Sequence, residues 1–241
     1  MDFADDPEKL NMLISAGREF ELDGEKHWFA IAEDGSCALF DKDYKIDDLS
    51  KVKTITNEMI RKDITSISIP DSVESIGEAA FYYCKYLKNI NITGSIESIG
   101  DFAFSWCKSF KHIDIPHSAK SIGNHAFYWC ESLESIIIPD LVKSIGKYAF
   151  ANCESLKSVS ISDSVKSIGN GAFAGCKSLK SINIPDYVES IGEAAFFNCE
   201  YLEEVVFKGR TLDEVRSMKY YPWGIEDEWG IEKKSIIKAE L

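Results

Sequence analysis

Between residues 61 and 208 the apolar positions recur with a period of 23, and within each period their rhythm changes. In the copy that begins at Leu156, Val159 and Ile161 alternate with Ser158 and Ser160. That is the period-two signature of a half-buried strand. A turn follows, marked in several copies by Pro (Pro70, Pro116, Pro139, Pro185) and by Asp (Asp71, Asp140, Asp163, Asp186). Val165 and Ile168 then make a second short apolar segment ending at Gly169, a residue that permits a sharp backbone reversal. Ala172, Phe173 and Cys176 have the spacing of one buried face on a short helical turn. The pattern predicts a coil of strand, turn, short strand and helical turn.

The register does not slip. A Ser-Ile-Gly triplet ends at Gly77, Gly100, Gly123, Gly146, Gly169 and Gly192. Phenylalanines keep step at Phe81, Phe104, Phe127, Phe150, Phe173 and Phe196, and cysteines at Cys84, Cys107, Cys130, Cys153, Cys176 and Cys199. A fixed period of about 20–29 residues marks a solenoid, in which each coil buries its apolar side only against its neighbours. The copy running from Leu179 through Ile182, Ile184, Pro185, Val188, Ile191, Gly192, Ala195 and Phe196 to Cys199 resembles the BspA-like branch of the leucine-rich repeats at every one of these positions. The resemblance covers residues 61–208. It implies a mainly β fold with short helical turns: a right-handed, curved leucine-rich-repeat solenoid whose main strands line one face. It also implies binding and not catalysis, since members of that family are mostly binding proteins, often on bacterial or protozoan surfaces.

The flanks break the repeat. In residues 1–60, Asp6-Pro7-Glu8 followed by Leu10, Met12, Leu13 and Ile14 reads as a capped amphipathic helix ending near Ala16-Gly17. Phe20–Leu22, His27–Ala32 and Cys37–Phe40, separated by Asp23-Gly24 and Asp34-Gly35, read as an antiparallel meander. Val52, Ile55, Met59, Ile60 and Ile64 mimic Val73, Ile76, Phe81 and Leu87 with two residues fewer, as a degenerate first coil would. In residues 209–241, Thr211 and Glu214 form a capping box before Leu212, Val215 and Met218, and Tyr220–Ile225 with Pro222 ends that helix. The tail bearing Ile231, Ile236 and Ile237 is expected to return as a closing strand. Residues 1–60 and 209–241 thus read as N- and C-terminal caps on the repeats.

Composition narrows the chemistry. The net charge is −13, and residues 1–60 hold 15 acids against 7 bases. Such a balance disfavours direct nucleic-acid contact and anionic membranes, and it suits a basic protein partner. No apolar run approaches the roughly 18 residues of a membrane span. Met1–Asp6 is acidic and polar where a secretory signal would be basic and then apolar, which reads as cytoplasmic. A signal trimmed from the chain would make it secreted or surface-displayed instead.

The ladder cysteines read as core-filling thiols, because metal sites need ligands in short convergent spacings. Cys37 stands outside the ladder with no assigned role. His27, His112, His117 and His125 form no catalytic or metal constellation, and read as solvated imidazoles. Neither an enzyme nor a cofactor is expected.

Candidate binding residues are those the repeat leaves unexplained. Tyr82, Tyr83, Trp106, Tyr128 and Trp129 sit between the core Phe and Cys of their coils. They read either as packing under the N-terminal segment or as an aromatic patch for a protein partner. On the strand face, one outward column runs through Ser66, Asn89, His112, Ser135, Ser158, Ser181 and Glu204, and another through Ser68, Asn91, Asp114, Ile137, Ser160, Asn183 and Val206. His112 and Asp114 are the candidates there, on a face that otherwise reads as solvated. Lys120, Lys143 and Lys166 stack in one column; residues 143–180 hold six Lys against two acids, and 186–204 hold six acids and no base. The leading functional reading is a monomeric, non-enzymatic, cytoplasmic protein-binding module. The alternatives are a surface adhesin, and an acidic phage-type counter-defence inhibitor that occupies the groove of a nucleic-acid-binding enzyme.

Overall fold

In a computed structural model of the chain, residues 16–43, 46–221, 223–225 and 236–240 are described. The helix expected before Ala16, and Pro222 and Ile231 in the tail, lie outside these residues. The meander forms as β1 (Arg18–Leu22), β2 (Glu25–Ile31), β3 (Cys37–Phe40) and β4 (Ile46–Asp47), antiparallel and in chain order. Asp23 and Gly24 both have positive φ, 53° and 81°, the geometry of a tight hairpin turn. Cys37 receives a place: half-buried on β3, its thiol donates to Ser68 O at 3.3 Å and ties the meander to the first coil. Burial pushes that thiol up to about 12.

The repeats build a parallel β-solenoid. The short segments β5 (Thr54–Ile55), β7 (Ser75–Ile76), β9 (Ser98–Ile99), β10 (Ser121–Ile122), β12 (Ser144–Ile145), β14 (Ser167–Ile168) and β16 (Ser190–Ile191) form one continuous seven-stranded sheet. The shortened first coil is in register, with Thr54 opposite Ser75 and Ile55 opposite Ile76. The longer strands are β6 (Ser66–Ile69), β8 (Asn89–Ile92), β11 (Ser135–Ile138), β13 (Ser158–Ile161), β15 (Ser181–Ile184) and β17 (Glu204–Lys208). They pair only as β6-β8, β11-β13 and β15-β17, the last extended by β18 (Ile237–Glu240). The first interruption falls at residues 112–115, although Ile113 and Ile115 remain buried. Phe110 replaces the usual Leu there, and its larger ring packs edge-on to Phe104 at 6.0 Å.

Core columns follow the predicted register. The rings from Phe81 to Phe196 are buried and stacked, with successive centroids 5.0, 5.2, 5.2, 5.5 and 6.0 Å apart. All seven cysteines are free, and the six of the ladder are buried. Past the repeats, α1 (Leu212–Ser217) opens with the expected reciprocal Thr211–Glu214 capping box and buries Val215.

The expected helical turn takes a different form. From Gly77 to Cys84 the chain is a ribbon of overlapping β-turns. The N–H groups of Ala80, Tyr82 and Cys84 donate back to Gly77, Ala79 and Phe81. Those of Ala79, Phe81 and Tyr83 donate to Asp101, Ala103 and Ser105 of the next coil at 2.8, 2.7 and 2.8 Å. A helix would use every N–H locally, whereas the ribbon frees alternate ones to bind coil to coil. The glycine of the triplet also serves another end than reversal, since none of the six has a positive φ. A Cβ on Gly100 would lie 2.7 Å from the Gly77 carbonyl carbon, so neighbouring coils approach there too closely for any side chain. Val206, expected outward, is buried. Its register partner Lys238 reaches back to Glu204, which lays the lysine stem beside Val206.

Candidate functional site

Alternate freeing of N–H groups requires a left-handed residue twice per coil, and these positions build the molecule's most unusual surface. The first column is Ala79, Phe102, His125, Tyr148, Gly171 and Ala194; the second is Tyr83, Trp106, Trp129, Asn152, Gly175 and Asn198. All have φ between 51° and 72°. Glycine is the natural occupant of such a conformation, and a bulky side chain there is strained by about 1–2 kcal/mol. Yet two successive coils place rings at both positions, Phe102 with Trp106 and His125 with Trp129, and the coils on either side place one each, Tyr83 and Tyr148.

Stacking offsets that strain. Trp106 and Trp129 lie parallel, 5.0 Å apart and 8° from coplanar, with Tyr83 tilted beyond at 6.2 Å. In the other column Phe102 stacks on His125 at 4.6 Å, and His125 on Tyr148 at 5.1 Å. Tyr128 bridges the two, meeting Trp129 and His125 edge-on at 6.3 and 5.4 Å. Lys108 lies over Trp106 and Trp129 at 4.8 and 5.4 Å while pairing with Glu131 at 2.6 Å. Tyr82, Tyr83 and Tyr148 are exposed, and the two indoles are half-buried.

The structure therefore brings five sequence candidates together: Tyr82, Tyr83, Trp106, Tyr128 and Trp129. The described N-terminal strands do not cover them; that meander meets the solenoid at β6 and at the 3-10 turn Asn57–Met59. His112 and Asp114 do not join the cluster. Both are exposed on the strand side, and His112 Nδ1 lies 3.3 Å from Ser135 Oγ.

Phe102, His125 and Tyr148 were the residues that sequence reasoning missed. Their signal is their 23-residue spacing, hidden because His125 reads as a solvated imidazole. It is instead a ring between two rings, its Nδ1 buried without a partner. Burial lowers its pKa from the ordinary value, with Asp101 opposing. The folded state thus favours the neutral ring. Its contribution to stability is complete above the unfolded value near about 6.5 and is lost as pH falls below it. His125→Phe, which keeps the stack, is expected to flatten the loss of melting temperature between about pH 7.5 and about pH 5.5. An equal slope in both proteins would reject this account.

Charge on the coils is arranged in ladders. Glu97–Lys120 (2.9 Å), Lys53–Glu74 (3.6 Å) and Lys166–Glu189 (3.5 Å) occupy one column, and Lys111–Glu134–Lys157 (3.3 and 2.7 Å) another. Lys143, between two paired lysines, has no ion pair among the described residues. Each exposed pair contributes little, about 0–1 kcal/mol. Among the described residues, no group of three His, Cys, Asp or Glu side chains is placed to hold a metal ion, and no helix is long and apolar enough to cross a membrane.

Comparison with known proteins agrees with this architecture. A family profile described as BspA type leucine rich repeat region matches in six copies, over residues 53–164 and 120–221. A leucine rich cell surface protein from Faecalibacterium prausnitzii is 30% identical with a TM-score of 0.64; the match covers 78% of this chain but only 54% of that one. A leucine-rich repeat protein of T. pallidum is 25% identical over 84% of this chain and 95% of its own, with a TM-score of 0.61. A leucine-rich repeat protein from Bacteroides ovatus, 24% identical over 92% of this chain and 78% of its own, shares the fold with a TM-score of 0.52. No curated protein sequence matches.

Proposed function

The chain belongs to the BspA type leucine rich repeat family, and on that premise we propose that it is a non-enzymatic protein-binding module whose recognition surface is the aromatic double column. Leucine-rich repeat proteins of this type are generally not enzymes. The observation that carries the reading is the placing of six rings at left-handed positions, where glycine would fold with less strain. Backbone strain held in place by surrounding structure concentrates at functional positions. Aromatic side chains, Trp and Tyr above all, dominate interface energetics. In this reading residues 61–208 are the recognition body, and residues 1–60 and 209–241 close its ends.

The Trp106→Ala, Trp129→Ala double variant is expected to weaken partner binding by at least about 1–2 kcal/mol while the solenoid stays folded. The partner is obtained by pull-down from host lysate and the affinity then measured by calorimetry. Unchanged affinity in the folded variant would move the site to the strand face, where His112 and Asp114 lie.

A second reading concerns location. That the Faecalibacterium prausnitzii relative is a cell surface protein favours display outside the cell over the cytoplasm. Labelling of intact cells with an impermeant reagent decides between them. The inhibitor reading draws less support, because the acids of the ladders face lysines of neighbouring coils instead of forming a continuous acidic strip.

A further inference from the structure

The aromatic surface carries donors that nothing in the protein answers. The indole N–H groups of Trp106 and Trp129 and the hydroxyls of Tyr82, Tyr83, Tyr128 and Tyr148 have no hydrogen-bond partner among the described residues. The indoles are half-buried, yet neither N–H is shut away from solvent. Ring faces are used differently. Trp106 and Trp129 cover one another, while Phe102 and Tyr148 cover the two sides of His125. Gly171 backs Tyr148 so closely that a side chain there would collide with the ring. A planar ligand that stacks needs an open ring face, and the stacked rings keep theirs for each other. What they turn outward is edges and donors.

Their spacing suits one kind of backbone. Coils repeat at about 4.8 Å, so alternate coils lie about 9.6 Å apart. A polyproline II segment repeats every three residues, which is about 9.3 Å. Laid along the solenoid axis, it returns the same edge to every second ring. An α-helix, at about 5.4 Å per turn, and an extended strand, at about 6.6 Å per residue pair, both fall out of step. The chemistry agrees with the spacing. Polyproline II has no internal hydrogen bonds, so its carbonyls are free acceptors, and proline brings no N–H that would need one.

Charge marks the two ends. Lys85 is exposed, lies over the rings of Tyr83 and Tyr86 at 5.8 and 4.9 Å, and has no ion pair among the described residues. Lys147, directly before Tyr148, is exposed and equally unpaired. Between them the charges are engaged: Lys108 by Glu131 at 2.6 Å, and Asp101 by Asn124 N and Nδ2 at 2.7 and 3.1 Å. Glu78 is unpaired too, but it sits beside Ala79, where the first column has no ring. The two free lysines are three coils apart, about 14 Å along the axis. Five residues of polyproline II cover about 15 Å.

We infer that this surface takes a proline-rich segment of its partner in polyproline II conformation, with acidic residues about five positions apart facing Lys85 and Lys147. The inference rests on the aromatic double column being the recognition surface. The indole N–H groups donate to the segment's carbonyls, and its proline rings pack on the ring edges.

The test titrates the full chain with the synthetic peptide Pro-Pro-Glu-Pro-Pro-Pro-Pro-Glu-Pro-Pro, followed by calorimetry and by the indole N–H resonances. Saturable binding is expected, with the Trp106 and Trp129 signals moving and those of the other tryptophans still. Replacing every proline of the peptide by alanine, or both glutamates by lysine, should weaken it about tenfold, as should Trp106→Ala in the protein. No binding at millimolar peptide, equal affinity for the alanine or the lysine peptide, or unmoved Trp106 and Trp129 signals would each overturn the inference. The wider reading fails separately: a natural partner that still depends on Trp106 and Trp129 would keep the aromatic surface as the site while excluding this ligand class. Should Trp106→Ala fail to fold, the peptide series and the indole signals of the unaltered chain decide.

Discussion

Phe127→Ala is expected to destabilise the protein by about 3–5 kcal/mol, the largest effect of any single side-chain truncation in the solenoid. Phe127 is wholly buried and stacks on both sides, against Phe104 and Phe150, each at 5.2 Å. Its carbonyl accepts the Cys153 thiol, and its N–H donates to Ala149 at 2.7 Å. Truncation opens a cavity at an interface between two coils, where the flanking backbone is tied into ladders and cannot collapse inward. Since repeat stability is a sum of coil and nearest-neighbour terms, the damage falls on both junctions. Urea denaturation should show a lower midpoint and a broader transition, as the two halves of the rod uncouple. Phe196 has a stacked phenylalanine on one side only, Phe173 at 6.0 Å, and its truncation should be milder. An unchanged melting temperature for Phe127→Ala would refute the inward assignment of the whole column.

What could be read from the chain, and what could not, divides along one line. Columns of buried residues were legible because the same type recurs at each step: Phe81 to Phe196, Cys84 to Cys199, and the Ile of every Ser-Ile-Gly. The first coil was legible despite its shortening, because Ile55 keeps its relation to Ile76. Backbone geometry was not. An Ala-Phe pair followed by Cys fits a helical turn and a ribbon of β-turns equally well, since both bury the same three side chains. The aromatic surface was half legible. Trp106 and Trp129 stood out by size, whereas Phe102, His125 and Tyr148 differ in chemistry and conceal one shared position. Val206 was placed outward by alternation alone, which carries no knowledge of the Lys238 stem beside it.

Glycine in the triplet supplies the sharpest contrast between a residue type and its reason. Gly169→Ala is expected to destabilise by about 1–3 kcal/mol, toward the upper end. The backbone conformation at Gly169 suits any residue, so the change by itself would stabilise by about 0.4–1 kcal/mol through the unfolded chain. The added methyl, however, would stand 2.7 Å from both the Gly146 carbonyl carbon and Lys147 N, and 2.8 Å from Gly146 O. These are backbone atoms, held by the bond from Gly169 N–H to Ile145 O at 2.9 Å. Relief therefore means parting two coils and lengthening a ladder that runs through all seven strands. Gly24, by comparison, has φ of 81° and nothing within 4 Å of where a Cβ would stand, so its substitution meets conformational strain alone. Close approach makes Gly169→Ala the more damaging of the two in thermal melts. If Gly169→Ala instead raised the melting temperature, the coils would have to lie further apart at this corner than the Cβ distances allow.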